Sequence, residues 1–396
     1  MASSNQYKVG IVGYGQVIEV PSCLPPHLTS PHLISSHLIS SLSAKVFHIP
    51  FIALTPSLVL HSIVQRRPTA ADSAPNDHPA AKHFTSVEPM LADSEVDIVI
   101  LSTPPNTHFQ LARDALNSGK HVLVEKPFVP TSAEADELAA LARDKQRVLC
   151  VYQNRRWDSD FLTVQKLLRD GTLGRIVEFE THFDRLRLEK PTTWKGKLGM
   201  DQGGGALYDL GTHLLDQVFV LFGMPTTVSA KFVDQREGRL VSGVGADQQP
   251  DSISAVLSYA ATGMLVYVRL GVASVESKQI RFWVRGTKGS YHKTGLDPQE
   301  DQLRSGTPAT DAAFGKEDES RFGRLCFVAD SGKVEDRVFP TVEPETYLRF
   351  YEMFANAVAS RKEEDIPVPA SQAAQVLRII EAMQESVKAG REVAPQ

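Results

Sequence analysis

A lysine, a carboxylate and an imidazole are the groups this chain could bring to proton-transfer chemistry. In Gly203-Gly204-Gly205-Ala206-Leu207-Tyr208-Asp209-Leu210-Gly211-Thr212-His213 the glycines permit close backbone approach. The helix expected next puts Asp209 and His213 one turn apart on one face. A carboxylate beside an imidazole can orient it and tune it around its ordinary pKa of about 6.5, as a general base requires. The same pair equally fits a helix cap beside a packed histidine, and as a metal site it lacks a third ligand at any obvious spacing. Lys126 stands in Glu125-Lys126-Pro127, where the proline biases it toward extended backbone and could aim its amine into a cleft. An isolated Lys-Pro is ordinarily a solvated surface charge, so the place of this segment in the fold has to decide.

A second set of residues suits a dinucleotide. Gly10-Ile11-Val12-Gly13-Tyr14-Gly15 ends an apolar run. A phosphate-binding turn of the form Gly-x-Gly-x-x-(Gly/Ala) needs bare backbone at the pyrophosphate and a small third residue for helix–strand packing. Gly13 and Gly15 supply the first two positions. The third is Ile18 as written, a bulky misfit, but becomes Ala44 if residues 17–42 loop out. After the next apolar run come Gln65-Arg66-Arg67, with none of the acid that would accept from an adenosine ribose. Guanidinium groups at Arg66 and Arg67 instead suit a 2′-phosphate, so NADP(H) is expected over NAD(H). The alternative is an ordinary solvated basic turn.

The elements that must position these residues follow from periodicity. Residues 9–12, 58–64, 96–101 and 121–124 read as strands buried on both faces. Between them Leu111, Ala112, Ala115 and Leu116 recur at helical spacing before Gly119. Thr131 with Glu134 forms a capping box ahead of another helix. Alternating strands and helices predict a doubly wound parallel sheet over 1–150, an α/β Rossmann domain. Thr103-Pro104-Pro105-Asn106-Thr107-His108 and Glu125-Lys126-Pro127 then both open at the carboxyl edge, where such sheets bind ligands. Beyond about 150 the pattern turns to alternating strands with one wet face, near 177–183, 253–259, 265–270 and 280–284. An α+β domain with an open, mainly antiparallel sheet is therefore expected over 151–396, with helices near 344–361 and 371–389, the last packing back on the first domain. Residues 300–340 give no clear period.

Residues 17–42 interrupt this scheme. They are rich in proline and serine, repeat His-Leu-Ile-Ser, and carry neither helical nor strand period. Their histidines lack a companion acid or cysteine at ligand spacing, so no metal is expected. The segment reads as a loop insertion or translated non-coding sequence. It should emerge as a poorly ordered excursion that weakens NADP binding, because it separates the glycine turn from the helix amides that complete an anion site.

Composition narrows the remaining classes. The chain has 396 residues, 42% hydrophobic and 22% charged, close to globular averages. With 42 Lys and Arg against 47 Asp and Glu, the formal charge is −5, which offers no global attraction for nucleic acid. Three cysteines are too few and too scattered for a disulfide framework, which suits a reducing cytoplasm. No apolar stretch is long enough to span a membrane, and the amino-terminal residues leave no room for a signal peptide.

Taken together, GYGQ at 13–16, SAKVFHIP at 43–50, STPPNTHF at 102–109, HVLVEKPF at 121–128, QNRRWDSDF at 153–161 and GGGALYDLGTHLLDQ at 203–217 resemble the glucose–fructose oxidoreductase/inositol dehydrogenase/rhizopine-catabolism (Gfo/Idh/MocA) family. The likeness is nearest to its NADP-dependent scyllo-inositol-dehydrogenase-like branch and covers nearly everything except 17–42. It implies a Rossmann domain joined to an α/β domain whose open sheet makes homodimer or homotetramer contacts. It places the catalytic lysine on Lys126 and the catalytic Asp and His on Asp209 and His213. It maps cofactor contacts to Gly13, Gly15, Thr103, Pro104, Asn106, His108, Glu125, Lys126 and the Asn154-Arg155-Arg156 stretch. The expected activity is hydride transfer between NADP(H) and a secondary alcohol of a cyclic polyol or sugar. The alternative is a non-catalytic NADP-sensing regulator of the same fold, which would have no use for Lys126, Asp209 and His213 together.

Overall fold

The computed structural model describes residues 6–15, 43–191, 193–243 and 249–396. The expectation of a poorly ordered excursion at 17–42 lies outside them. Six parallel strands form the first sheet: β1 (Tyr7–Val12), β2 (Leu58–Val64), β3 (Lys82–Phe84), β4 (Ile98–Leu101), β5 (His121–Glu125) and β6 (Leu149–Tyr152). Their spatial order is β3-β2-β1-β4-β5-β6, the doubly wound order with its switch point between β1 and β4. β4, β5 and β6 are buried along their whole length, as continuous apolar runs require when helices cover both faces. The helix expected between β4 and β5 spans His108–Asn117, and Gly119 follows with φ +75°. The Thr131/Glu134 capping box forms as read, opening the helix Ser132–Asp144.

The second sheet has nine strands: β7 (Ile176–Asp184), β8 (Thr227–Asp234), β9 (Arg239–Val241), β10 (Ser252–Tyr259), β11 (Met264–Gly271), β12 (Ile280–Gly286), β13 (Gly289–Thr294), β14 (Gly323–Val328) and β15 (Val334–Phe339). In the order β15-β14-β13-β12-β7-β11-β10-β8-β9 every pair is antiparallel except β7 with β11. β14 and β15 occupy the region without a clear period. β15 is an edge strand exposed along nearly its whole length, so no buried face imposes an apolar alternation.

Helix Ala370–Ala389 joins the two sheets. Glu381 accepts from the Ser132 amide and hydroxyl at 2.7 Å each, Arg378 pairs with Asp136 at 2.5 Å, and Ser386 accepts from the Ala230 amide on β8 at 3.0 Å. Helix Thr346–Ser360 adds Tyr347, Phe350 and Tyr351, all buried; Tyr351 stacks on Phe51 of the first domain, while Tyr347 meets Phe51 and Phe350 meets Tyr152 edge to face. This shared core holds the carboxyl edge of the parallel sheet against the helix that carries His213. Among the described residues no helix is long and apolar enough to cross a membrane.

Candidate active site

The glycine turn leaves β1 at the switch point. Gly13 donates to the Val64 carbonyl at 3.2 Å and has φ +99°, while Gly15 has φ +85°. A Cβ at Gly13 would lie 2.2 Å from the Ser102 carbonyl oxygen, and one at Gly15 would lie 1.8 Å from Asp72 Oδ2. Both positions therefore demand bare backbone. Ala44 is fully buried at the start of a π-helical turn, Ala44–His48, that runs into helix Ile49–Leu54. A small residue thus sits where helix and sheet pack, as the looped-out reading requires. Arg66 and Arg67 are exposed just beyond β2, while Gln65 turns inward and grips the Asp72 carbonyl and the Ala74 amide. Beside the turn Lys45 pairs with Asp72 at 2.7 Å and with Asp77 at 2.9 Å. Neither Asp72 nor Lys45 was foreseen, because no local pattern brings a β2 loop acid to Gly15. Bare glycine backbone at the switch point fits a dinucleotide, and Arg66 and Arg67 make no ion pair among the described residues.

The two carboxyl-edge loops are locked to each other by His108. Its Nε2 lies 2.8 Å from the Thr103 carbonyl, and its Nδ1 lies 2.9 Å from the Phe128 carbonyl. The ring is fully buried, and burial lowers its pKa. His108 thus ties the two loops together, with both ring nitrogens facing backbone carbonyls. Thr103 bonds Thr107 at 2.7 Å, Pro104 caps the 3-10 turn Pro105–Thr107, and Asn106 is exposed on it. Glu125 accepts from the Lys126 amide at 3.0 Å and meets Ser43 and His48 Nε2, the latter at 3.0 Å. His48 Nδ1 in turn reaches the Tyr351 hydroxyl. Burial alone would raise the Glu125 carboxyl, but His48 and its other partners outweigh it and hold the pKa low.

Lys126, at the carboxyl end of β5, reaches across to the second domain. Its Nζ donates to the Asp209 carbonyl at 2.9 Å and to Asp209 Oδ1 at 3.1 Å. Lys195 donates to the same Oδ1 at 2.8 Å. Burial pushes the Asp209 carboxyl up, yet the two lysines and Arg185 hold it well below the usual range. Asp209 lies in a π-helical turn, Leu207–Gly211, and His213 lies in the first turn of helix Thr212–Phe222. The expected hydrogen bond between them is not made. The Asp209 carboxylate faces the lysines, and His213 Nδ1 is buried without a partner among the described residues. Burial, then Lys126 and Arg155, push the imidazole pKa well below its ordinary value, so the ring is neutral. Asp209 therefore neutralises two lysines beside His213 instead of fixing its tautomer. Lys195 carried no sequence signal, since its loop is polar and aperiodic.

The Asn154-Arg155-Arg156 stretch forms a 3-10 turn, Asn154–Trp157, buried between the domains. Arg156 makes a two-pronged pair with Asp216 at 2.7 and 2.8 Å and adds Gln372 at 2.8 Å. Arg155 pairs with Asp158 at 3.0 Å and with Glu300. Both guanidiniums, expected at the cofactor, are committed to protein carboxylates, and Asn154 is buried at the start of the turn. Such partners come from segments far apart in sequence and cannot be read from the motif.

A cleft of about 260 Å³ opens on Asp209, Lys195 and the Gly203–Gly205 run. A larger hollow of about 410 Å³ lies at the amino edge of the parallel sheet, beside Arg147 and Leu149, remote from this chemistry.

Residues 7–153 match the description "Oxidoreductase family, NAD-binding Rossmann fold", and residues 165–394 match "Oxidoreductase family, C-terminal alpha/beta domain", the two halves of Gfo/Idh/MocA proteins. The chain belongs to the Gfo/Idh/MocA oxidoreductase family. Among its Gfo/Idh/MocA relatives is an uncharacterized oxidoreductase, C115.03 of Schizosaccharomyces pombe, 38% identical over 355 residues, 87% of this chain and 94% of that protein. Another is scyllo-inositol 2-dehydrogenase (NADP(+)) IolW of Bacillus subtilis, 32% identical over 386 residues, 98% of this chain and 95% of that protein. The solved structure of the oxidoreductase yvaA from Bacillus subtilis superposes with a TM-score of 0.84 at 30% identity, covering 100% of both chains. In this Gfo/Idh/MocA member the Rossmann domain contributes Lys126 and the second domain contributes Asp209 and His213.

Proposed function

We propose that this oxidoreductase interconverts a secondary alcohol of a cyclic polyol or sugar and the corresponding ketone or lactone, using NADP(H). The observation that carries the reading is the convergence of Lys126, from the carboxyl edge of the nucleotide-binding sheet, with Asp209 and His213 of the second domain. A bound nicotinamide would supply or accept the hydride. Gly13 and Gly15 would offer it backbone, and the exposed Arg66 and Arg67 would take the 2′-phosphate. His213, a neutral imidazole in the field of Lys126, is the acceptor for the hydroxyl proton. A strongly depressed pKa makes it a weak base. Stabilisation of the developing oxyanion therefore falls on Lys126, whose amine Asp209 orients through two hydrogen bonds. The name of the IolW relative supports both the cofactor and the polyol class.

The same reading includes a cytoplasmic protein, in keeping with Cys150 and Cys326, which are thiols free of any disulfide among the described residues. It includes a homodimer or homotetramer formed through the open face of the nine-stranded sheet, which exposes Leu265 and Trp283. The test is a panel of polyols and aldoses with NADP⁺ or NADPH, followed by nicotinamide absorbance. On the substrate found, Lys126→Ala and His213→Ala should each lose about 10²–10⁴-fold in rate. Full turnover by both variants would refute the assignment.

A further inference from the structure

The cleft around Asp209 carries more positive charge than the proton-transfer chemistry uses. Two of its guanidiniums, Arg185 and Arg187, follow β7 on one side of the opening. Their backbones are fixed, Arg185 donating to the Gly271 carbonyl at 3.0 Å and Arg187 to the Val272 carbonyl at 2.7 Å. Their side chains make no ion pair or hydrogen bond among the described residues, and Arg185 Nε is buried with no partner. Elsewhere in the same wall arginines are matched. Arg236 pairs with Asp251 at 2.9 Å and donates to the Arg187 carbonyl at 2.7 Å, and Arg239 pairs with Asp234 at 3.2 Å. Asp209, the nearest acid to the reacting groups, already serves Lys126 and Lys195.

Once the Arg236–Asp251, Arg239–Asp234 and Lys190–Glu237 pairs are set aside, Asp209 faces Lys126, Lys195 and the two guanidiniums of Arg185 and Arg187, which have no ion pair among the described residues. Repulsion among them is felt by Arg187, whose pKa is lowered by burial and then by Arg185, although Asp209 opposes it. A buried guanidinium nitrogen without an acceptor is costly unless a ligand completes it. Planar guanidinium groups match carboxylate and phosphate geometry, whereas neutral hydroxyls leave the charge unmet.

Building on the oxidoreductase reading, we infer that the substrate carries an anionic group, a carboxylate or phosphate on its polyhydroxylated frame, held by Arg185 and Arg187 while a hydroxyl meets Lys126 and His213. The arginines determine which substrates bind and take no part in proton transfer.

Calorimetry on the full chain with NADPH present tests this without turnover. Matched pairs serve as probes: D-glucuronate and glucose 6-phosphate against D-glucose, D-gluconate against sorbitol, and inositol 1-phosphate against myo-inositol. At least one acid should bind on the order of tenfold or more tighter than its neutral parent. The advantage should vanish in Arg185→Gln/Arg187→Gln and largely survive in Arg185→Lys/Arg187→Lys, with thermal unfolding and NADPH binding confirming that both variants fold. The carboxylate and phosphate arms identify the preferred anion. Acids binding no tighter than their neutral parents throughout the set, or an advantage unchanged in the double glutamine variant, would overturn the inference. Failure of wild-type NADPH binding, measured separately by fluorescence, would instead count against the oxidoreductase reading.

Discussion

Gly13→Ala and Gly15→Ala differ in what surrounds the added methyl group, and that difference predicts an order of damage. Both glycines hold positive φ, where an ordinary L residue pays about 1–2 kcal/mol. At Gly13 the new Cβ starts 2.2 Å from the Ser102 carbonyl oxygen and 2.8 Å from its carbon, so the backbone beyond β4 must retreat. The Ser102 amide is itself bonded to the Val12 carbonyl at 2.8 Å, which ties the obstacle to the strand being displaced. Overpacking of this kind adds about 1–3 kcal/mol, for a total of about 2–5 kcal/mol. At Gly15 the obstacle is the Asp72 carboxylate, 1.8 Å away, a side chain that can swing aside at the loss of its pairing with Lys45. A partly exposed pair contributes about 0–1 kcal/mol, so the total there is about 1–3 kcal/mol. For a domain near 150 residues these values lower the melting temperature by roughly 4–20 °C and 2–12 °C respectively. Differential scanning fluorimetry would read the melting temperatures, and NADPH fluorescence titration at a temperature where both variants are folded would read binding. Gly13→Ala should also weaken NADPH at least about tenfold, because the turn itself moves. A Gly13→Ala protein melting within about 1 °C of wild type, or Gly15→Ala proving the more harmful, would refute the reasoning.

Arg156→Met should cost about 3–5 kcal/mol in urea unfolding, since it leaves the Asp216 carboxylate buried and unpaired. NADPH affinity of the folded variant should be unchanged, and a tenfold loss of affinity at intact stability would restore Arg156 to the cofactor site. Burial, with Arg147 and Arg361, depresses the His121 pKa to about 4. The unfolded chain then takes up a proton below about pH 6.5 that the native state refuses, so stability falls as pH drops from about 6.5 toward 4. His121 should contribute about 2–3 kcal/mol of destabilisation at about pH 4.5 relative to pH 8. Urea midpoints of His121→Gln at the two pH values should differ less than those of wild type, and an equal difference would contradict the account. Replacing Arg66 and Arg67 together with Ala should weaken NADP⁺ by about 30- to 1000-fold, or about 2–4 kcal/mol, and NAD⁺ little. Equal weakening of both cofactors by calorimetry would place these arginines elsewhere.

Wherever local patterning dictates structure, this chain was legible. The buried strands Tyr7–Val12 and His121–Glu125, the Thr131/Glu134 box and the glycine turn all answer to neighbours within a few residues. Their physical causes, apolar runs between helices, reciprocal capping and positive φ, are written into short segments. Lys126, Asp209 and His213 were likewise recognisable as chemistry-bearing residues before their meeting was seen. Edge elements were not. β15 is exposed along nearly its whole length and β3 has only three residues, so neither leaves a hydrophobic period to read.

Tertiary structure alone decided the pairings. His108 became a tie between two loops because the carbonyls of Thr103 and Phe128 converge on its buried ring. Arg156 went to Asp216, 60 residues away, and Asp209 turned from His213 to Lys126 and Lys195. In each case a buried charge or donor had to find a partner, and the partner was set by which distant segments the two sheets bring together. Sequence spacing specifies a side chain's face on its own element. Which opposite charge waits across the cleft is a property of the packed molecule.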